Sequence, residues 1–485
     1  MQRIGFFLFL SFMTVSMIRA DEKPKPIVDE RVELLSIVFR LAGAEEYSMN
    51  AVPSYGDDID RHFESVKNHE AVRYAKKLRS SFHVGQDTVM SYAVRLEIRD
   101  GKITFRDDLD RNSQIEKDFR WTKSTKEKFL KLLNDFYTDS QFRDFFDSHQ
   151  PLYEGVSKDF APTSNAIDYD WFKTFFGVNH EFRFQPVVSL LCDGGFGPNF
   201  MLKSGGKISY AVIGLHEIDM ENIAPDMFRW ITHSLVHEGC HAFCNPLIDK
   251  HYIKLKPAAE RIFPVFEKIT AANCYGMVNI VQYELLVRAA TLRYWKTHGL
   301  DDDTLEKFKL RDKNIGFFPI DDWYQWLEDY ENSRDRYPTL DDFMPEIARR
   351  QNEKYSKRHL KEFDELLKKV LDKQRPKITA FQPASQAEAV DPGTTKLTVT
   401  FDQPMRTTSY SWCRESEDTF PEGVGNDSVR WSEDRKSCTL SCVLKPGRTY
   451  RIWINDEDAR GFLNDKGVPC WPTLWIFTTT VDSPD

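Results

Sequence analysis

His237-Glu238-Gly239-Cys240-His241 puts two imidazoles and a carboxylate at the spacing H-E-x-x-H. On a helix the two histidines stand at i and i+4, one turn apart on one face, where they can share one tetrahedral Zn2+. Glu238 is one residue off that face, placed to reach a water at the ion without ligating the ion. Zinc lowers the pKa of such a water from about 15.7 to about 7, so a carboxylate can take its proton and pass it to a leaving amine. Peptide-bond hydrolysis is the reaction this geometry serves best, with Glu238 as general base.

The motif needs a helix under it. Pro225-Asp226 reads as a helix start and Asn245-Pro246 as a stop, with about five turns between them. Met227, Ile231, Leu235 and Ala242 make one apolar stripe at helical spacing, and Glu238 falls inside it with His237 and His241 along its edge. A carboxylate on a core-facing stripe is costly unless a positive charge offsets it, and a metal would do so. His233, one turn earlier, is rotated away and reads as a support behind the ligands or a surface residue.

Two histidines leave zinc one protein ligand short of a catalytic site. Glu260 lies 19 residues after His241, in a looser segment between Pro257 and Pro264 where Lys256 and Arg261 could simply solvate it. Glu284 lies 43 residues after His241, in the apolar helical run from Val281 to Trp295. A lone carboxylate in that run needs a partner, either Arg288 one turn on or a metal. The apolar setting favours Glu284 over Glu260 as third ligand. An oxyanion donor is also expected, and Tyr275, Tyr283, His233 and Tyr210 are candidates with nothing to choose among them.

The run from His237 through Ala242-Phe243-Cys244-Asn245-Pro246, with Tyr283-Glu284-Leu285-Leu286-Val287-Arg288-Ala289 downstream, resembles an exported bacterial zincin-like family known as a domain of unknown function. The helical start near Val32 to Tyr47 fits as well, so the resemblance covers about residues 28–370. It implies a gluzincin-type α+β metallopeptidase domain, mostly helical with a small sheet. It further implies His237, His241 and Glu284 as ligands of a Zn2+ cofactor and Glu238 as base. No substrate is implied beyond a peptide or protein.

The rest of the chain must position these residues. Residues 1–20 run from Gln2-Arg3 through an apolar stretch to Ala20, the pattern of a secretory signal peptide and too short for a membrane span. Export to a periplasmic or extracellular site is expected, with no transmembrane anchor. A net charge of −9 without a basic cluster excludes nucleic acid as a partner. Amphipathic helices are expected near Val32–Leu41, from Ile59 to Leu78, and over residues 125–180. A hairpin is expected with Val89–Ile98 and Ile103–Phe105 around Asp100-Gly101. Strands at Phe182–Phe184 and Val187–Leu191 lead to a turn at Gly194–Pro198, then a hairpin of Phe200–Leu202 and Ile208–Ile213. A sheet edge just before the motif helix could take an extended peptide as an added strand.

Charged helices with interspersed Trp and Tyr fill residues 300–375, closing a catalytic domain read as 21–375. From Pro376 the texture changes to short alternating strands: Ile378–Phe381, Leu397–Phe401, Val429–Trp431, Cys438–Val443, Tyr450–Ile454 and Leu474–Thr478. Phe401-Asp402-Gln403-Pro404-Met405, then Leu444–Tyr450, then Phe477-Thr478-Thr479 resemble a bacterial Ig-like domain, here an all-β sandwich over 376–485. Such a domain would contact a cell surface or another protein. Trp412 and Trp471 are read as core residues rather than sugar-binding ones. Export permits disulfides, and one inter-strand bridge among Cys413, Cys438, Cys442 and Cys470 fits the sandwich. Cys192, Cys240, Cys244 and Cys274 lie in the first domain; Cys240 and Cys244 share one helix, so bridging them would link nothing new, and both are expected as buried thiols. Two functions follow: a zinc metallopeptidase, or a non-catalytic binding or scaffold protein with a vestigial or structural metal site.

Overall fold

The computed structural model describes residues 23–110, 120–215, 225–272, 275–355, 357–424, 428–456 and 458–481. The expected signal peptide and Cys274 lie outside them. The described residues form two compact units, one reaching to Leu247 with Arg293–His298 and Glu328–Phe343, the other Ile248–Leu292, Gly299–Leu327 and the residues from Met344 on.

In the first unit, α1 (Glu30–Leu41) starts at Asp29, whose carboxylate accepts from the Arg31 N–H at 2.9 Å. The single helix expected from Ile59 to Leu78 is two, α2 (Pro53–His62) and α3 (Glu70–Phe82). The His69 imidazole caps α3 by accepting from Ala71 N–H, which fixes a new helix start and breaks the periodic run. α4 (Asp87–Ala93) takes the first half of the expected Val89–Ile98 strand, because Val89, Met90, Tyr92 and Ala93 are buried together on helical spacing. Only β1 (Leu96–Arg99) and β2 (Lys102–Phe105) form the hairpin, around a tight turn at Asp100-Gly101. Helices α5 (Lys123–Asp139), α6 (Phe142–Ser148), α7 (Gln150–Asn165) and α8 (Tyr169–Phe176) fill the expected helical stretch.

The sheet that follows comprises β3 (Phe182–Ser189), β4 (Gly195–Phe196), β5 (Asn199–Met201) and β6 (Lys207–Gly214). β6 is buried at every position and lies at the centre, with β3 parallel on one side and β4 and β5 antiparallel to it. β4 is an edge strand, where a turn was expected. It forms because Gly195 and Phe196 come into register with Ile213 and Val212. Helix α9 (Pro225–Ala272) begins in this unit.

The second unit holds the rest of α9, much of α10 (Val278–Thr297), α11 (Asp302–Asn314), parts of α12 (Ile320–Glu331) and α13 (Leu340–Lys354), and α14 (Lys357–Gln374). Its all-β part contains β7 (Ile378–Gln382), β8 (Ala387–Val390), β9 (Lys396–Phe401), β10 (Trp412–Arg414), β11 (Val429–Trp431), β12 (Ser437–Ser441), β13 (Thr449–Ile454) and β14 (Thr473–Thr479). They pair as two four-stranded sheets, β11-β12-β9-β7 and β10-β13-β14-β8. Alternate residues of each strand, among them Leu397, Val399, Phe401, Leu440, Ile452, Ile454, Trp475 and Phe477, make one apolar core between them. The two strands missed by pattern, β8 and β10, bury too little for alternation to show.

Two expectations fail in the sandwich. Its cysteines are free thiols, not a bridge. Cys470 Sγ instead accepts from the Asn455 amide at 3.2 Å, and burial pushes the Cys438 and Cys470 thiols up to about 12. Trp471 is 60% exposed rather than a core residue. Arg375 stacks on its ring at 3.9 Å while donating to the Pro469 carbonyl, so the ring ties the end of α14 to the sandwich. Trp412 does pack inward, against Phe462 and Trp475.

Candidate metal centre

α9 carries the motif, and its seating is set by aromatic packing. A Cβ on Gly239 would lie 2.7 Å from the Phe172 ring of α8 and 3.0 Å from Phe184 of β3, so only glycine lets the helix come this close. Phe243 stacks on Phe176 at 4.6 Å and meets Phe182 at 4.7 Å. These contacts bury Ile231, Leu235 and Ala242, with Glu238 among them at 7% exposure. His237 and His241 stay half-buried, their ring centroids 4.9 Å apart and their planes at 82°. Cys240 and Cys244 are buried thiols on the same helix.

The helix does not stop at Asn245-Pro246, as the sequence suggested; it runs on to Ala272. Pro246 has no N–H, so the Ala242 carbonyl one turn back loses its helical donor. The Lys207 ammonium of β6 donates to that carbonyl instead. Burial depresses Lys207 to about 8. A buried cation thus satisfies the break and the helix continues through it. Asn245 has a different task from the one its pairing with proline suggested: its Oδ1 sits 3.1 Å from His241 Nδ1. If Nδ1 carries the hydrogen, His241 turns Nε2 toward a metal, the usual arrangement for a ligating imidazole. The spacing His241 to Asn245, i to i+4 on one helix, carried that signal in the sequence.

Glu284 on α10 is 6% exposed, and Arg288 one turn on pairs with it at 3.0 Å. Arg288 also donates to Asp312 at 2.6 Å and to the Tyr275 hydroxyl at 3.1 Å, with its guanidinium 4.4 Å over the Phe317 ring. Burial alone would lower Arg288; Asp312 and Glu284 beside it hold it above the ordinary guanidinium value. Asp312 is pushed up by burial against the pull of Arg288.

One ligand atom each from His237, His241 and Glu284 lies within 4.8 Å of the others. The donor set, two imidazole nitrogens and a carboxylate oxygen, suits zinc. Glu260 is about half exposed and paired with Lys256 at 3.4 Å, outside this cluster. Glu238 sits between the two histidines in sequence, and its carboxylate fills the space that a Cβ on Gly195 or Gly197 would need. Of the oxyanion candidates, Tyr275 is bonded to Arg288, which itself holds Glu284. Tyr283 is taken by Asp249, His233 accepts from Trp295 Nε1 at 3.1 Å, and Tyr210 accepts from Arg106 at 2.7 Å. Among the described residues no helix is long and apolar enough to cross a membrane.

Comparison with known proteins adds two families. The family described as "Domain of unknown function (DUF4932)" matches residues 27–349, and that described as "Bacterial Ig-like domain" matches residues 372–479. No curated protein matches the chain. Among solved structures, the crystal structure of the S-layer protein rSbsC(31-844) is similar at 16% identity and a TM-score of 0.16. That match covers 54% of this chain and 38% of the S-layer protein, so the chain spans well under half of its length.

Proposed function

The chain belongs to the DUF4932 family and ends in a bacterial Ig-like domain, and from that premise we propose that it is an exported zinc metallopeptidase of zincin-like, gluzincin type. The observation that carries the reading is the gathering of His237, His241 and Glu284 ligand atoms within 4.8 Å. A zinc ion held there would act as Lewis acid on the scissile carbonyl and lower the pKa of the attacking water. Glu238 would serve as general base, taking a proton from the attacking water and passing it to the leaving amine. Asn245 keeps the His241 ring turned, and Arg288 holds the Glu284 carboxylate. An extended peptide pairing with the β4 edge would pass beside Glu238, because the same short strand touches that carboxylate. Export rests on the signal-like residues 1–20 and the kind of domain that follows.

A second reading has an observation of its own. Arg288 offsets the buried Glu284 charge without any ion, which is what a structural or vestigial site in a binding protein would need. Metal content and cleavage of a mixed peptide library, measured on wild type and Glu238→Gln, separate the two. About one zinc per chain in both, with cleavage by the wild type alone and at least ~10³-fold less by the variant, is expected. Zinc without cleavage would favour the binding protein.

A further inference from the structure

A Cβ on Gly195 would stand 2.9 Å from Glu238 Oε1, and one on Gly197 would stand 2.6 Å from Glu238 Oε2 and 2.9 Å from the Glu238 carbonyl oxygen. Each carboxylate oxygen therefore has its own glycine against it, and neither position has room for a side chain. The segment cannot withdraw easily. Gly214 N–H donates to the Gly194 carbonyl at 2.8 Å, and Tyr210 N–H donates to the Pro198 carbonyl at 2.9 Å, so β6 holds it before and after the glycines. β6 also holds the helix, through Lys207 and the Ala242 carbonyl one turn past Glu238. Strand, glycine segment, carboxylate and helix make one closed circuit of contacts.

We propose that Gly195 and Gly197 are positioning residues for Glu238: their bare backbone seats the carboxylate, so the edge strand beside the site also fixes where the base stands. This rests on the peptidase reading for its catalytic consequence but not for its geometry. The atoms nearest a Cβ at either glycine belong to Glu238 and Ile213 rather than to a candidate ligand, so metal binding should be left unchanged. It acts on the chemical step through the placement of the base, where a displacement of about 1 Å is costly.

The test uses the full-length zinc-loaded protein with Gly195→Ala and Gly197→Ala. Gly195→Ala is the gentler variant, because its new methyl group meets the end of a flexible carboxylate and the Ile213 side chain at 3.3 Å. It should keep its zinc and its melting temperature, lose kcat by about 100-fold, and hold KM within about threefold. Gly197→Ala, which also meets helix backbone, should lose at least as much. Shortening the base should partly rescue: Glu238→Asp should cost less in the Gly195→Ala background than in wild type, because the carboxylate withdraws from the added methyl. A crystal structure of Gly195→Ala should show the Glu238 carboxylate displaced by about 1 Å or more. That readout needs no turnover, so it decides the inference even if the wild type cuts nothing and the peptidase reading falls. Gly195→Ala with unmoved carboxylate, or with kcat within about threefold of wild type, would overturn it.

Discussion

The helical part of the chain and the sandwich bury different things. Before residue 376 the buried side chains include Glu33, Lys207, Glu238, Glu284, Arg288 and Asp312. From Lys377 on, the buried polar side chains among the described residues are Asn455, Asn464 and Thr479, none of them charged. Buried charge is expensive unless paired, and a fold that only spaces or docks has no use for it. The contrast says where chemistry is to be sought: the part that bears the cost of ionisable groups is the part where Glu238 and the candidate ligands sit.

The sharpest way to break that contrast is through the metal. Glu284→Ala should weaken zinc binding by more than ~100-fold in chelator competition, more than the loss of a supporting residue usually costs. Glu260→Ala, altering an exposed carboxylate paired with Lys256, should bind zinc as wild type does. If only Glu260→Ala loses metal, the third ligand is misassigned.

Buried charge also predicts how stability responds to pH. Glu33 is fully buried, accepting from the Tyr55 hydroxyl at 2.8 Å, with Ser189 and Leu190 each 3.4 Å from its other oxygen. Burial raises it from 4.5 to about 7, against the pull of those donors. The folded chain then holds a proton the unfolded chain gives up, so this group's stabilisation is full below about 4.5 and is lost as pH rises to about 7. Glu33→Gln should therefore stabilise the helical part at pH 8 by up to about 3 kcal/mol and change little at pH 4.5. Hydrogen exchange at α1 and β3 reads this directly. Exchange at β13 and β14 should vary little over the same range; a matching pH response there would erase the contrast.

Much of this was legible in the residues. H-E-x-x-H placed His237 and His241 one turn apart because the helical repeat fixes which side chains share a face, and Glu284 stood out as a carboxylate in an apolar helix. Strands with clear alternation, such as β9 and β13, were plain for the same reason. What sequence hid depended on tertiary partners. Pro246 reads as a helix end until Lys207, distant in sequence, is seen filling the carbonyl it frees. Gly195-Phe196-Gly197 reads as a turn until β6 pairs with it and Glu238 comes against its backbone. Val89 and its neighbours read as strand until their burial shows a helix. Trp471 reads as core because nothing local reveals Arg375 stacked on it.

A smaller effect sharpens the picture of the ligands. Asn245→Ala should leave the fold intact and lower zinc affinity by about 10-fold, since His241 keeps its place but loses the partner that orients its ring. Asn245→Asp should restore or exceed wild-type affinity, a carboxylate being the stronger acceptor. Equal affinity in all three would mean the contact orients nothing.

Zinc-edge anomalous diffraction from crystals grown with zinc is the most direct measurement. A single peak about 2.0–2.2 Å from a nitrogen of His237, a nitrogen of His241 and an oxygen of Glu284, with one coordination position left to solvent, is the predicted result. No peak among these three side chains, or an ion closed off by a fourth protein ligand, would contradict the account.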